Sequence, residues 1–172
     1  MLLLGIGNIL QKDDGFGIYA STFLAKNYTF SPSLSIINGG VEGMNLFGHL
    51  EAHAEIIVLD VIDISDTPAS IYAIPAQELG SRGLNSGGAH EIGILECLDM
   101  LELQGKRVPD TTILGIVPQH VTFDIALSQT LFDAFDGYIQ TLLQLLAKKG
   151  FVASKKAHQT SLLEIIQEVK KL

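Results

Sequence analysis

A chain of 172 residues, 47% of them hydrophobic and 17% charged, is long enough for one full core and too apolar to stay disordered. Its 11 Lys+Arg against 19 Asp+Glu, a net charge of −8, argue against nucleic acid, whose phosphates need a basic surface. The single cysteine, Cys97, rules out an intrachain disulfide framework and a cysteine-based zinc knuckle, as expected for a reducing, cytoplasmic protein.

Met1–Leu4 reads as a short buried strand ended by Gly5 and Gly7. Lys12-Asp13-Asp14 follows too soon for a signal peptide or a membrane span. Glycines in this turn allow another chain to come close, and the paired carboxylates predict a cationic visitor rather than a phosphate. From Phe16, the residues Tyr19, Ala20, Phe23 and Leu24 fall three or four apart, the stripe of a helix running to about Asn27. After Pro32, Leu34–Ile37 is a second strand ending in Asn38-Gly39-Gly40, and Met44–His53 is helical by pattern.

Ile56–Leu59 is a continuous apolar run closed by Asp60, the pattern of a central strand with a carboxylate at its end. Ser70–Ile74, flanked by Pro68 and Pro75, predicts an edge strand. A glycine-bearing loop, Gln77–Ala89, delivers His90 to the start of a helix with Ile94, Leu95, Leu98 and Leu101 on one face. Thr111–Val117 is the last expected strand, stopped by Pro118, and Ser128 caps a long helix to about Lys149, closed by Gly150. The alternation predicts a three-layer α/β/α sandwich around a twisted, mostly parallel sheet of about five strands. Residues 1–150 form the expected domain. Residues 151–172, with Leu162, Leu163, Ile165, Ile166, Val169 and Leu172, read as an amphipathic helical extension that either docks on the body or binds a partner.

Several chemistries fail on their residues. Gly5-Ile6-Gly7 lacks the third glycine of a dinucleotide loop, Leu10 standing there, and Asp13 and Asp14 would repel a pyrophosphate. No G-x-S-x-G elbow is present, and Cys97 falls on an apolar helix face without a neighbour to stabilise a thiolate. His49 and His53 are four apart, but Glu51 between them does not make H-E-x-x-H, and a solvated face is expected.

Asp14, Asp60 and His90 remain. Residues at the carboxyl ends of strands in an open α/β sheet converge on one crevice, and two carboxylates with an imidazole suit a borderline divalent metal such as nickel, zinc or iron. Singly, each also fits a structural role: Asp14 a helix N-cap, Asp60 a hydrogen-bonded strand end, His90 a polar residue of an opening turn.

The order and approximate spacing of Gly5-Ile6-Gly7-Asn8-Ile9-Leu10 through Asp13-Asp14-Gly15 and Gly17, Asn38-Gly39-Gly40 with Gly43, Asp60, His90-Glu91-Ile92-Gly93, and Gly115-Ile116-Val117-Pro118 resemble the hydrogenase maturation proteases. These endopeptidases trim the C-terminus of the nickel–iron hydrogenase large subunit. The resemblance covers about residues 1–150 and implies that Asp14, Asp60 and His90 hold the three metal-ligand positions and carry the catalysis. It implies that nickel is carried by the precursor, as the recognition signal, rather than kept as a permanent cofactor. Many members have Glu at the position of Asp14, Asp at Asn38 and Thr at Val41. The alternative is a non-catalytic, chaperone-like nickel-binding module that docks the precursor without cutting it.

Overall fold

The structure, a computed structural model, describes the backbone of residues 1–81 and 89–171 and the side chains of residues 1–79 and 93–171. In chain order the elements are β1 (Leu2–Ile6), α1 (Phe16–Asn27), β2 (Tyr28–Ser31), β3 (Ser35–Gly40), α2 (Phe47–Glu51), β4 (Glu55–Val61) and β5 (Ile71–Pro75). Then come α3 (Ala76–Ser81), α4 (Ala89–Leu103), β6 (Asp110–Ile116), α5 (Gln129–Lys148), β7 (Val152–Lys155) and α6 (Leu162–Val169).

Five strands form one sheet in the order β3-β1-β4-β6-β5, parallel except for β5, which runs antiparallel along the edge of β6. The edge position expected from the prolines around residues 70–74 is therefore observed. Alternation along the strands divides the core into two halves. Leu3, Ile57, Leu59, Leu114 and Ile116 pack with α1, α5 and α6. Leu2, Leu4, Ile6, Ile56, Val58 and Ile113 pack with Leu50 of α2 and with Ile94, Cys97, Leu98 and Leu101 of α4. Helices thus cover both faces of a mostly parallel sheet, the expected three-layer α/β/α sandwich.

Three segments differ from expectation. The stretch expected as one helix over 44–53 is a 3-10 turn, Gly43–Leu46, followed by the five-residue α2, because the chain must already enter β4 at Glu55. The expected loop over 77–89 begins inside α3, and its residues 82–88 lie outside the described residues. In the tail, β7 pairs antiparallel with β2, Tyr28 opposite Lys155. Each of these strands has only four residues and little burial, so neither carries a hydropathy signal of its own. Phe151 and, from α6, Leu162, Ile165 and Ile166 are buried in the same cluster as α1 and α5. Ser161 starts α6 with a capping box, its hydroxyl accepting from the Glu164 N–H while the Glu164 carboxylate accepts from the Ser161 N–H.

The site-bearing end of the sheet is set by two features. The first is the approach of α1. A Cβ at Gly17 would lie 2.1 Å from the Leu59 carbonyl oxygen, and one at Gly5 would lie 2.1 Å from the Ser21 hydroxyl. Glycine at both positions lets the first turn of α1 rest directly on β1 and β4. The second is Asp13, fully buried in a 3-10 turn, Lys12–Gly15. Its carboxylate accepts from the backbone N–H groups of Gln119 at 3.0 Å, His120 at 2.8 Å and Ser128 at 2.6 Å. Lys12 N–H donates to the Asp124 carbonyl, and Asp124 N–H donates to that of Leu10. The turn after β1 is thereby stitched to the loop after β6 and to the N-cap of α5.

Gly17→Ala is expected to lower unfolding free energy by about 3 kcal/mol in urea titrations, since backbone rather than a flexible side chain must move. Asp13→Ala, which leaves three N–H groups without their acceptor, is expected to cost about 3–5 kcal/mol, and Asp13→Asn less. Tyr19 is buried in α1, its hydroxyl has no hydrogen-bond partner among the described residues, and burial, then the charge of Asp124, push its pKa up to about 12. A phenol that ionises more easily unfolded than folded stabilises the native state below pH 10, and that contribution is lost as pH rises toward 12. Tyr19→Phe should therefore flatten part of the alkaline loss of stability; Tyr138, which burial, then the charge of Asp60, push up well above the ordinary phenol range, contributes in the same direction.

Candidate active site

Asp60 is the next-to-last residue of β4 and the acid within its buried run, which continues through Val61 and Ile62, and it is itself only 2% exposed. Its neighbours Val58 and Ile62 belong to the cluster on the α2–α4 side, so alternation directs Asp60 toward the layer that contains α4. One carboxylate oxygen accepts from the N–H of Val61 at 2.8 Å. Across the sheet Asp60 is in register with Gly115 of β6. A Cβ at Gly115 would lie 2.5 Å from the Ile62 side chain, so this glycine is what allows the chain to bend inward just past Asp60.

Asp14 lies one residue beyond the buried Asp13, in the 3-10 turn that packs against β4, and is half-buried. Its carboxylate accepts from the Asn8 N–H at 3.0 Å, folding the Gly7–Leu10 segment back over the end of β1. Gly7 sits in that bend with φ +129°, and a Cβ there would be 1.9 Å from the Asp14 carbonyl oxygen. Adjacent acids in sequence thus have different surroundings, Asp13 facing inward to three amides and Asp14 at the carboxyl edge of the sheet beside Asn8.

His90 lies in the first turn of α4, and its side chain is outside the described residues. The helix is placed by the close approach of two glycines: a Cβ at Gly93 would lie 3.0 Å from the Gly43 Cα. Gly43 opens the 3-10 turn after β3, so the start of α4 meets the same carboxyl edge that carries Asp14 and Asp60. Among the described residues no three His, Cys, Asp or Glu side chains gather into a metal-binding group.

Other sequence candidates resolve simply. Cys97 is buried, its thiol directed at the Gly43 carbonyl and the Met44 sulfur at 3.7 Å each, and burial, then Glu96, push its pKa up, the opposite of what a nucleophile needs. The His53 ring pairs with the His49 carbonyl at 2.8 Å, and His49 itself is exposed. Asn38 is held by α1: its side-chain oxygen accepts from the Ser21 hydroxyl, and its amide donates to Thr22 at 2.9 Å. Ser21 went unnoticed in the sequence because a serine within an apolar helix stripe carries no signal until β3 is placed beside it.

A cavity of about 340 Å³ lies between the Gly7–Leu10 turn and the end of β3, and Asn8, whose N–H donates to the Asp14 carboxylate, is part of its lining. No helix among the described residues is long and apolar enough to cross a membrane.

This architecture has known counterparts. The hydrogenase maturating endopeptidase HybD from Escherichia coli superposes with a TM-score of 0.82 at 24% identity, over 91% of this chain and 97% of that one, a likeness of fold. The hydrogenase 2 maturation protease of Escherichia coli is 25% identical over 154 residues, 89% of this chain and 94% of the relative. The hydrogenase expression/formation protein HupD of Rhizobium leguminosarum bv. viciae is 32% identical over 119 residues, 69% of this chain. The chain spans 59% of the length of that relative and 60% of HoxM from Cupriavidus necator. A family model described as hydrogenase maturation protease, HycI, matches residues 18–145. With most of its length matched by that family, and with the fold that goes with it, this chain belongs to the hydrogenase maturation proteases.

Proposed function

We propose that this chain is a cytoplasmic endopeptidase that removes the C-terminal extension of a nickel–iron hydrogenase large-subunit precursor after nickel has been inserted, and that it recognises the inserted nickel through Asp14, Asp60 and His90. The observation that carries the reading is Asp60, a carboxylate at the end of the central strand with 2% exposure, on the side of the sheet that α4 covers. A carboxylate held in low-dielectric surroundings attracts a cation strongly, and a cation brought by the substrate suits it. Asp14, at the same edge and tied to the Asn8 N–H, adds a second oxygen donor on a turn whose neighbour Asp13 keeps it from shifting. His90 adds an imidazole from the first turn of α4.

Two carboxylates and one imidazole leave coordination positions for the precursor's own groups, which is the chemistry a substrate-borne nickel requires. A bound divalent ion supplies positive charge beside the scissile bond, where it favours attack on the carbonyl. The protein's own part is geometric. Gly40, with open space where a Cβ would stand, leaves room for an approaching chain, and the Asp13 network holds the turn after β1 in place while it does so. Aspartate at position 14 supplies a carboxylate with one methylene less reach than a glutamate would have.

The test is to incubate the chain with nickel-loaded and nickel-free precursor and read both by intact mass. Loss of the C-terminal segment from the loaded form alone is expected; equal cleavage of both would refute nickel recognition, and complex formation without mass loss would favour the docking module. Asp60→Asn and His90→Ala are each expected to lower the cleavage rate about 100-fold or more while the far-ultraviolet circular dichroism stays that of the parent chain.

A further inference from the structure

We infer that the cavity between the Gly7–Leu10 turn and the end of β3 is a side-chain subsite, receiving apolar residues of the precursor next to the scissile bond and setting which residues are accepted there. The inference rests on the endopeptidase reading of the adjoining acids. At about 340 Å³ the cavity lies near the lower end of the range for binding pockets, room for a short stretch of side chains and little more.

Ile9, Leu10, Ile18 and Val41 supply its apolar walls. Leu10 is 43% exposed and Val41 57%, so an apolar occupant would remove from water surface that the fold leaves uncovered. Asn8 lines the cavity too, and its N–H is the one held by the Asp14 carboxylate at 3.0 Å. The occupant therefore sits one hydrogen bond away from a proposed nickel ligand. Glu42 on the wall disfavours an acidic peptide by like charge.

An extended peptide fits better than a free small molecule. Gly7, Gly39 and Gly40 present main chain rather than side chains to the cavity, and β3 is one of the two edge strands of the five-stranded sheet, with β1 as its strand partner. A chain laid along such an edge meets backbone with its backbone and projects alternate side chains into the adjoining hollow.

The experiment uses a series of nickel-loaded precursors with Ala, Val, Leu or Phe on either side of the scissile bond, titrated for binding at low temperature and followed for cleavage. For the parent chain, affinity should rise about tenfold from Ala to the best-fitting apolar residue at one of the two positions. Val41→Trp, a change at an exposed rim position, should fill the cavity and reverse that order toward Ala, with its melting temperature unchanged. Affinity indifferent to side-chain size, or the same order in Val41→Trp as in the parent, would overturn the subsite. A reversed order without any cleavage would keep the subsite and remove the endopeptidase reading; cleavage without any order would do the opposite.

Discussion

Three backbone N–H groups converge on the buried Asp13 carboxylate, and the carboxyl edge of the sheet depends on that convergence. Hydrogen bonds to an ionised acceptor are stronger than neutral ones and tie down more than one segment at a time. Here a single side chain fixes the turn after β1, the loop after β6 and the N-terminus of α5. The 3-10 turn is further held by the Asp13 N–H on the His120 carbonyl, by the Asn8 N–H on Asp14 and by the exchange of bonds between residues 10–12 and Asp124, but only the Asp13 carboxylate reaches the N-cap of α5 among these. The paired acids thus divide their work: Asp13 secures the scaffold, which leaves Asp14 at the edge, where chemistry can reach it.

Much of this was legible in the sequence, for identifiable reasons. Strands buried on both faces are continuous apolar runs, so β1, β4 and β6 announce themselves, and an acid ending such a run, Asp60, stands out because nothing else in it is polar. The stripe of α1, the Ser128 cap and the edge position of β5 follow from local chemistry. What was not legible is non-local. The β2–β7 pair joins residues more than a hundred apart, and Asp13 finds its amides in Gln119, His120 and Ser128; in sequence it is merely one of two adjacent acids. Gly115 and Gly93 likewise gain their meaning only from Ile62 and Gly43, the residues that occupy the space a Cβ would need.

The glycine-rich opening, at first sight an incomplete dinucleotide loop, is explained by contact rather than by phosphate. Gly5 and Gly17 admit α1 to the sheet, and Gly7 makes the bend that returns Asn8 to Asp14. Leu10, in place of a third glycine, is a half-exposed wall of the cavity beside them. On the proposed reading, the features that disqualify the loop for a nucleotide are those that would equip it for an apolar chain bearing a cation.

The central claim is that Asp14, Asp60 and His90 meet at one metal carried by the substrate. Anomalous diffraction at the nickel edge, from crystals of this chain bound to nickel-loaded precursor, tests it most directly. The account predicts one nickel coordinated by a carboxylate oxygen of Asp14, a carboxylate oxygen of Asp60 and a ring nitrogen of His90, with its other ligands from the precursor. A bound precursor whose nickel is coordinated by none of these three side chains would contradict it.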